Sequence, residues 1–239
     1  MSIEKAIYET AEALKKTRIA NAAVKCYREI KYEIDAVRER DPAASSSVEV
    51  LALYSGLHAI MAHRLAHALY VRGHKLTARA ISQAAKSVTG IEIHPAAKIG
   101  RGVFIDHGSG VVIGETAEVG DGCTLYQGVT LGGTGKDSGK RHPTLGKNVM
   151  VGAGAKVLGP FKVGDNAKIA ANAVVLEAVP SDSTAVGIPA RMITRSARRR
   201  REEECDLDQI HIPDPVSQEL CKLMIRIEKL EKTIEELEK

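Results

Sequence analysis

A six-residue period runs through the second half of the sequence, and it restricts the possible fold more than any other feature. Thirteen positions between residues 93 and 175 follow this period, and each holds Ile, Val or Leu. Glycine often comes next, and a small or β-branched residue often lies two positions earlier. The repeat positions are Ile93, Ile99, Ile105, Ile113, Val119, Leu125, Leu131, Leu145, Val151, Val157, Val163, Ile169 and Val175.

Six residues are too few for a repeat that contains a helix, but they suffice for one short strand and one turn. Three such units complete one coil of a parallel β-helix, in which the aliphatic side chains point inward and stack on those of the next coil. The composition agrees, since 239 residues include two Phe, six Tyr and no Trp, and a narrow prism of stacked aliphatics has no room for rings. The period therefore predicts a parallel β-helix.

The period is interrupted twice, and both interruptions contain candidate functional residues. The step 105–113 spans eight residues and the step 131–145 spans 14, where six are expected. Insertions in a solenoid protrude as loops, commonly on its binding face. The candidate residues in these two loops are Asp106, His107, Arg141 and His142.

These residue types suit proton transfer and the binding of an anion. His107 is a candidate general base, because imidazole exchanges protons near neutral pH and the neighbouring Asp106 can orient it and stabilise its cation. Arg141 is a candidate carboxylate ligand, because a guanidinium binds a carboxylate through two parallel hydrogen bonds. His142 adds a second imidazole.

Helical patterns flank the repeat region on both sides. The first helical stretch is rich in Glu, Ala, Lys and Arg and ends at Asp41-Pro42. Near the C-terminus, Leu and Ile recur at alternating steps of three and four residues, which is typical of a coiled coil. The predicted class is α+β, with an N-terminal helical domain (1–90), a parallel β-helix (91–195), a linker (196–217) and a C-terminal coiled-coil helix (218–239).

Composition and charge exclude several functional classes. No run approaches the roughly 18 apolar residues of a membrane span, and the N-terminus lacks the apolar run of a signal peptide, so we expect a cytoplasmic protein without membrane contact. The four cysteines form no CxxC pair, which favours reduced thiols over disulfides or a zinc site. Glutamates 202–204 follow the arginines at 198–201, which indicates a solvated linker and no nucleic-acid partner.

Several further motifs resemble those of one family. They are Asp41-Pro42, Ile93-His-Pro, Asp106-His107, Val112-Ile-Gly-Glu-Thr116, Val129-Thr-Leu-Gly-Gly-Thr-Gly135, Arg141-His-Pro143 and Gly187-Ile-Pro-Ala-Arg191. Across about residues 30–195 these motifs resemble the serine O-acetyltransferases, which belong to the hexapeptide-repeat acyltransferases. The Asp-His and Arg-His-Pro pairs fall in the matching loops.

The resemblance implies a left-handed β-helix assembled as a homotrimer, with a dimer of trimers as the larger alternative and active sites between neighbouring subunits. It implies direct transfer of acetyl from acetyl-CoA to the hydroxyl of L-serine in cysteine biosynthesis, without a metal, and feedback inhibition by L-cysteine. Many members end in an isoleucine that inserts into O-acetylserine sulfhydrylase. This chain ends in Leu237-Glu238-Lys239, so we do not expect that partner.

The resemblance also assigns roles to individual residues. His107 corresponds to the general base, Glu92 to its supporting carboxylate, where well-known members have Asp, and His142 to a further catalytic residue. The serine site, which cysteine shares, comprises Asp41, Asp106, Glu115, Arg141 and His142. The coenzyme site comprises Gly133, Thr134, Ala153 and Ala171.

Three other functions remain open from the residues alone. A related O-acetyltransferase acting on a sugar or antibiotic hydroxyl has no evident use for the pair Asp41 and Arg141, which suits a zwitterionic amino acid. A β-helical carbonic anhydrase requires three metal-binding histidines, for which His94, His107 and His142 are the candidates. A non-enzymatic scaffold predicts no turnover of acetyl-CoA.

Overall fold

The computed structural model describes residues 21, 24, 27–135, 138–194, 226, 227, 229 and 230. Among these residues, four helices precede the repeat region. Helix α1 comprises the helical residues 27–40, immediately before Asp41. Among the described residues, no helix has the length and apolar character needed to cross a membrane. The other helices are α2 (Ser47–Leu53), α3 (Ser55–Tyr70) and α4 (Lys75–Thr89).

Local sequence signals set the ends of these helices. The hydroxyl of Ser46 caps α2 by accepting a hydrogen bond from the backbone N–H of Glu49 at 3.2 Å. Tyr54 has an extended backbone (φ −84°, ψ 105°) and separates α2 from α3. Gly90 ends α4 in the left-handed conformation, with φ 73°, which glycine adopts without a steric penalty.

The repeat region forms short strands, most of them two residues long. Each strand up to residue 175 ends at or next to a repeat position, so the spacing of these strands follows the six-residue period. The strands are β1 (Glu92–Ile93), β2 (Lys98–Ile99), β3 (Phe104–Ile105), β4 (Val112–Ile113), β5 (Glu118–Val119), β6 (Thr124–Leu125), β7 (Thr130–Gly132), β8 (Thr144–Leu145), β9 (Met150–Val151), β10 (Lys156–Leu158), β11 (Lys162–Val163), β12 (Lys168–Ile169), β13 (Val174–Val175), β14 (Ser183–Val186) and β15 (Arg191–Thr194).

The strands form three sheets, which are the three faces of a prism. Sheet A has the order β1-β4-β7-β10-β13, sheet B the order β2-β5-β8-β11, and sheet C the order β3-β6-β9-β12-β14-β15. All pairs are parallel except β14 with β15. Successive repeat positions stack in register, as when Ile113 pairs with Ile93 and Leu131. This register continues across both insertions, which therefore leave the prism as loops.

The thirteen repeat positions form the core of the prism, and all are buried, with at most 8% of the residue surface exposed. The small positions two residues earlier are buried as well, including Ala97, Ala117 and Cys123. The thiol of Cys123 donates to the carbonyl of Gly146 at 3.1 Å, and burial raises the pKa of Cys123 to about 11. Cys123 therefore packs in the core as an inert side chain.

A second hydrophobic cluster joins the helices to the outer side of sheet C. Phe104 from β3 packs with Val37, Val50 and other apolar residues of α1 to α3. Gly56 of α3 permits this close approach, because a Cβ there would lie 2.1 Å from the carbonyl oxygen of Ile105. The contact brings the end of α1 and the start of α3 next to the first inserted loop.

The predicted C-terminal elements lie largely outside the described residues. Residues 226, 227, 229 and 230 are helical, and Ile227 and Leu230 are exposed. The linker 196–217 and the rest of the predicted coiled coil at 218–239 belong to the part of the chain that the structure does not describe.

Candidate active site

The candidate residues occupy two different corners of the prism. The C–A corner comprises the turns that lead from sheet C to sheet A, and the first insertion lies there, between β3 and β4. The A–B corner comprises the turns from sheet A to sheet B, and the second insertion lies there, between β7 and β8. In one chain the two corners are separated by the face of sheet A.

The first group of side chains, which we call the base cluster, lies at the C–A corner and consists of Asp41, Tyr54, Asp106 and His107. The phenol of Tyr54 donates a hydrogen bond to Oδ2 of Asp41 at 2.6 Å. This bond, with burial and the charge of Asp41, raises the pKa of Tyr54 to about 12. Oδ1 of Asp41 accepts a bond from the N–H of Ala43 at 2.8 Å. Both carboxylate oxygens of Asp41 are therefore held in place.

His107 projects from the tip of the first inserted loop. Its backbone is left-handed, with φ 57°, and its side chain is 73% exposed. Its Nε2 lies 3.8 Å from Oδ1 of Asp106. Burial raises the pKa of the Asp106 carboxyl, the neighbouring His107 opposes that shift, and Asp41 adds to it. The imidazole is thus open to a ligand and has a carboxylate beside it.

Glu92 does not make the contact with His107 that the resemblance implies. Its Oε2 forms an ion pair with Nζ of Lys86 at 2.5 Å, and within the described chain no hydrogen bond or ion pair joins it to His107. Lys86 lies in the last turn of α4 and reaches β1 directly. Among the residues described, the carboxylate that lies within 4 Å of His107 is that of Asp106.

The second group, which we call the clamp cluster, lies at the A–B corner and consists of His94, Glu115, Thr116, Arg141 and His142. Nη2 of Arg141 donates to Oε2 of Glu115 at 2.6 Å. This hydrogen bond lowers the pKa of Glu115. The guanidinium keeps further donors for a ligand, because only one of its nitrogens makes this bond.

The ring of His142 packs against the backbone of Gly114. A Cβ at Gly114 would lie 2.0 Å from Cδ2 and 2.1 Å from Nε2 of that ring, so a side chain there would displace it. His142 is 7% exposed, and its Nδ1 lies 2.8 Å from Oγ1 of Thr116. The second inserted loop therefore delivers Arg141 and His142 to one place with defined orientations.

Among the described residues, no hydrogen bond or ion pair connects the base cluster to the clamp cluster. The coenzyme-site residues that the resemblance implies are also distributed over both corners. Gly133 and Thr134 begin the second inserted loop at the A–B corner, whereas Ala153 and Ala171 lie on successive turns of the C–A corner. The N–H of Asn172 donates to the carbonyl of Ala153 at 2.8 Å, which stacks those two turns.

The structure does not assemble the three histidines of a metal site in one chain. His107 lies at the C–A corner, whereas His94 and His142 lie at the A–B corner. Over the residues that the structure describes, no group of three or more His, Cys, Asp or Glu side chains is placed to hold a metal ion.

Sequence reasoning left Tyr54, Gly114 and Thr116 without a role. Gly114 and Thr116 lie inside the quoted motif 112–116, whereas Tyr54 lies outside the motifs named above. The partners of Tyr54, Gly114 and Thr116 are 13, 28 and 26 positions away along the chain. The available signal was the Gly-Glu-Thr turn, in which a hydroxyl residue stands directly after a candidate site carboxylate.

Comparison with known proteins gives a consistent result. The family model of the bacterial transferase hexapeptide (six repeats) matches residues 142–177. The serine acetyltransferase of Helicobacter pylori is 62% identical over 167 residues, which cover 70% of this chain and 98% of that protein. The serine acetyltransferase of Bacillus subtilis is 52% identical over 210 residues, which cover 88% of this chain and 95% of that protein.

Solved structures with similar folds include serine acetyltransferases with bound ligands. A complex with cysteine has a TM-score of 0.74 at 40% identity and covers 84% of this chain and 77% of that one. The Neisseria gonorrhoeae enzyme with serine has a TM-score of 0.69 at 41% identity, covering 74% and 72%. The Brucella abortus enzyme with coenzyme A has a TM-score of 0.71 at 44% identity, covering 78% and 76%.

These comparisons confirm the predicted fold class of N-terminal helices followed by a left-handed parallel β-helix. They also confirm the resemblance on which the acyltransferase prediction rested. This chain belongs to the serine acetyltransferase family.

Proposed function

We propose that this chain transfers acetyl from acetyl-CoA to the hydroxyl of L-serine, giving O-acetyl-L-serine and CoA for cysteine biosynthesis, with His107 as the general base. The observation that carries the assignment of the base is the exposed imidazole of His107 with Asp106 3.8 Å from it. The family membership supports the donor and the acceptor.

The reaction needs a base because the hydroxyl of serine is a poor nucleophile near neutral pH. His107 accepts the hydroxyl proton as the oxygen attacks the thioester carbonyl, and the tetrahedral oxyanion collapses by releasing the CoA thiolate. The protonated His107 then returns its proton to that thiolate. Direct transfer is favoured because Cys123, the cysteine in the described prism, is buried with a raised pKa and is not a nucleophile.

Opposite charges on the two clusters suit the two ends of an amino acid. The guanidinium of Arg141 suits the carboxylate of serine, and the carboxylate of Asp41 suits its ammonium group. Glu115 pairs with Arg141 and orients it. L-Cysteine has the same two charged ends, and a related enzyme has been solved with cysteine, so we propose that it competes with serine at this site.

The separation of the clusters supports an active site formed by two chains. We propose a three-fold arrangement of prisms in which the C–A corner of one chain lies against the A–B corner of its neighbour, so that each interface unites a base cluster with a clamp cluster. The coenzyme residues at both corners then border one groove. We propose a homotrimer, with a dimer of trimers as the alternative assembly.

The function is tested by measuring thiol release from acetyl-CoA with a panel of acceptors. We expect L-serine to exceed sugar and antibiotic hydroxyls in kcat/KM by at least about 100-fold, since those acceptors leave the charged groups without partners. Equal or better turnover with a neutral acceptor would favour the other branch of the acyltransferases. No turnover with any acceptor would favour the scaffold.

Replacing Tyr54 tests whether Asp41 binds the substrate in the orientation seen here. Tyr54→Phe removes the phenol that holds Oδ2 of Asp41 at 2.6 Å and leaves the ring in place. We expect KM for L-serine to rise about three- to tenfold, the cost of one hydrogen bond to a partly exposed charge, with little change in KM for acetyl-CoA. Tyr27→Phe, at an exposed tyrosine of α1, is the matched control. A selective rise in KM for acetyl-CoA would show that Tyr54 acts elsewhere.

A further inference from the structure

Thr116, which follows Glu115 at the A–B corner, accepts hydrogen bonds through both its hydroxyl oxygen and its carbonyl oxygen. Its Oγ1 accepts from the backbone N–H of Arg141 at 3.0 Å and from that of His142 at 3.1 Å. Its carbonyl accepts from Nζ of Lys140 at 2.6 Å. One threonine thus binds three consecutive residues at the end of the second inserted loop.

The same threonine determines which ring nitrogen of His142 carries a proton. The backbone N–H of Thr116 points to Nδ1 of His142 at 3.2 Å, and an N–H can only donate, so Nδ1 must accept. Oγ1 of Thr116 lies 2.8 Å from the same Nδ1. Because that oxygen already accepts two hydrogen bonds, its own proton is available for Nδ1. A neutral imidazole with an unprotonated Nδ1 carries its proton on Nε2.

The surroundings of His142 disfavour its cation. Burial lowers the pKa of His142, and the charges of Arg141 and Lys140 add to this shift, while Glu115 opposes it. The ring cannot turn freely, since it lies against Gly114 where even a Cβ would overlap it. His142 is therefore presented in one orientation and one protonation state.

We propose that Thr116 is a positioning residue that holds His142 as the neutral Nε2–H tautomer, so that His142 is a hydrogen-bond donor to an anionic oxygen of the substrate. This inference rests on the proposed function for the identity of that oxygen, which is either the serine carboxylate or the developing oxyanion. It separates the roles of the two histidines: His107 takes the proton, whereas His142 has no lone pair to offer on its substrate side.

The tautomer is measured directly by ¹⁵N NMR of the ligand-free full-length protein labelled at histidine. The signals of His142 are identified by their loss in His142→Gln. We expect a protonated Nε2 and an unprotonated Nδ1 near neutral pH. A protonated Nδ1, alone or together with Nε2, would overturn the inference. Because this measurement needs no substrate, its result is independent of the result of the acceptor panel.

Substitutions at Thr116 test its part in this arrangement. Thr116→Val keeps the shape but removes the hydroxyl, and we expect the His142 signals to shift and kcat/KM for L-serine to fall about tenfold. Thr116→Ser keeps the hydroxyl, so we expect the His142 signals and kcat/KM for L-serine to stay close to those of the unmodified protein. Thr144→Val on β8 is the matched control, because the hydroxyl of Thr144 makes no hydrogen bond within the described residues.

Whether Thr116→Val changes KM or kcat identifies the substrate oxygen to which His142 donates. A loss in KM for L-serine assigns the donor to the serine carboxylate, and a loss in kcat assigns it to the oxyanion. Unchanged His142 signals and unchanged kinetics in Thr116→Val would overturn the positioning role. If Thr116→Val fails to fold, Thr116→Ala, which also removes the hydroxyl, is measured in its place, and a protonated Nδ1 in the unmodified protein would still overturn the inference.

Discussion

His107→Ala is expected to lower kcat by about 10²–10⁴-fold, which is the usual contribution of a general base. The substitution removes the imidazole at the tip of the first inserted loop, while the core of the prism is untouched. Binding of acetyl-CoA, measured by calorimetry, should stay nearly unchanged, because the base deprotonates the acceptor and does not hold the coenzyme. Steady-state thiol release measures the effect on kcat.

The matched control for this substitution is His74→Ala. His74 is an exposed histidine at the start of α4 and belongs to neither cluster, so its replacement should leave turnover unchanged. Near-normal turnover in His107→Ala would refute the assignment of the base.

A second comparison shows which carboxylate supports His107. Asp106→Asn is expected to cost more activity than Glu92→Gln, since Asp106 lies 3.8 Å from His107 whereas Glu92 is paired with Lys86. A larger loss of activity in Glu92→Gln than in Asp106→Asn would show that Glu92 supports His107, as the resemblance implies.

Arg141→Ala is expected to raise KM for L-serine by about 10- to 100-fold, the cost of a lost charge-assisted hydrogen bond to a carboxylate. KM for acetyl-CoA should change little. Arg141→Lys should recover only part of the loss, because an ammonium group keeps the charge but not the paired donors of a guanidinium. The inhibition constant for L-cysteine should rise in parallel. A rise confined to acetyl-CoA would show that Arg141 binds the coenzyme.

Mixing these two variants tests whether one active site takes residues from two chains. His107→Ala chains keep an intact clamp cluster, and Arg141→Ala chains keep an intact base cluster. If the two are unfolded and refolded together and assayed at an L-serine concentration well below the KM of Arg141→Ala, an interface that joins the two intact clusters regains activity, whereas either variant refolded alone remains weakly active. Failure to regain activity, with mixed oligomers shown by sedimentation or mass spectrometry, would place the whole site within one chain.

The repeat pattern by itself determined the architecture of the prism. Burial of an aliphatic at every sixth residue is a local requirement that each coil repeats, so the thirteen positions could be identified without knowledge of the tertiary structure. All thirteen are buried, and they stack in register. The two insertions were visible for the same reason, because a break in a strict period is itself a signal, and both form loops at corners of the prism.

The resemblance supplied candidate residues, but only the tertiary structure showed their arrangement. Asp106 and Arg141 were both predicted for the serine site, yet they lie at different corners, since the corner depends on which sheet each flanking strand joins. Strand order in the coil therefore decides that the two clusters of one chain lie apart.

Side-chain partners were likewise decided by packing between distant segments. Glu92 pairs with Lys86 because α4 ends beside β1, and Tyr54 reaches Asp41 because α3 packs closely on β3 through Gly56. The bond from Thr116 to His142 spans 26 residues and depends on where the second inserted loop returns to the prism. A sequence period specifies which residues face inward, whereas hydrogen bonds at the corners depend on distances that arise only when the coils have stacked.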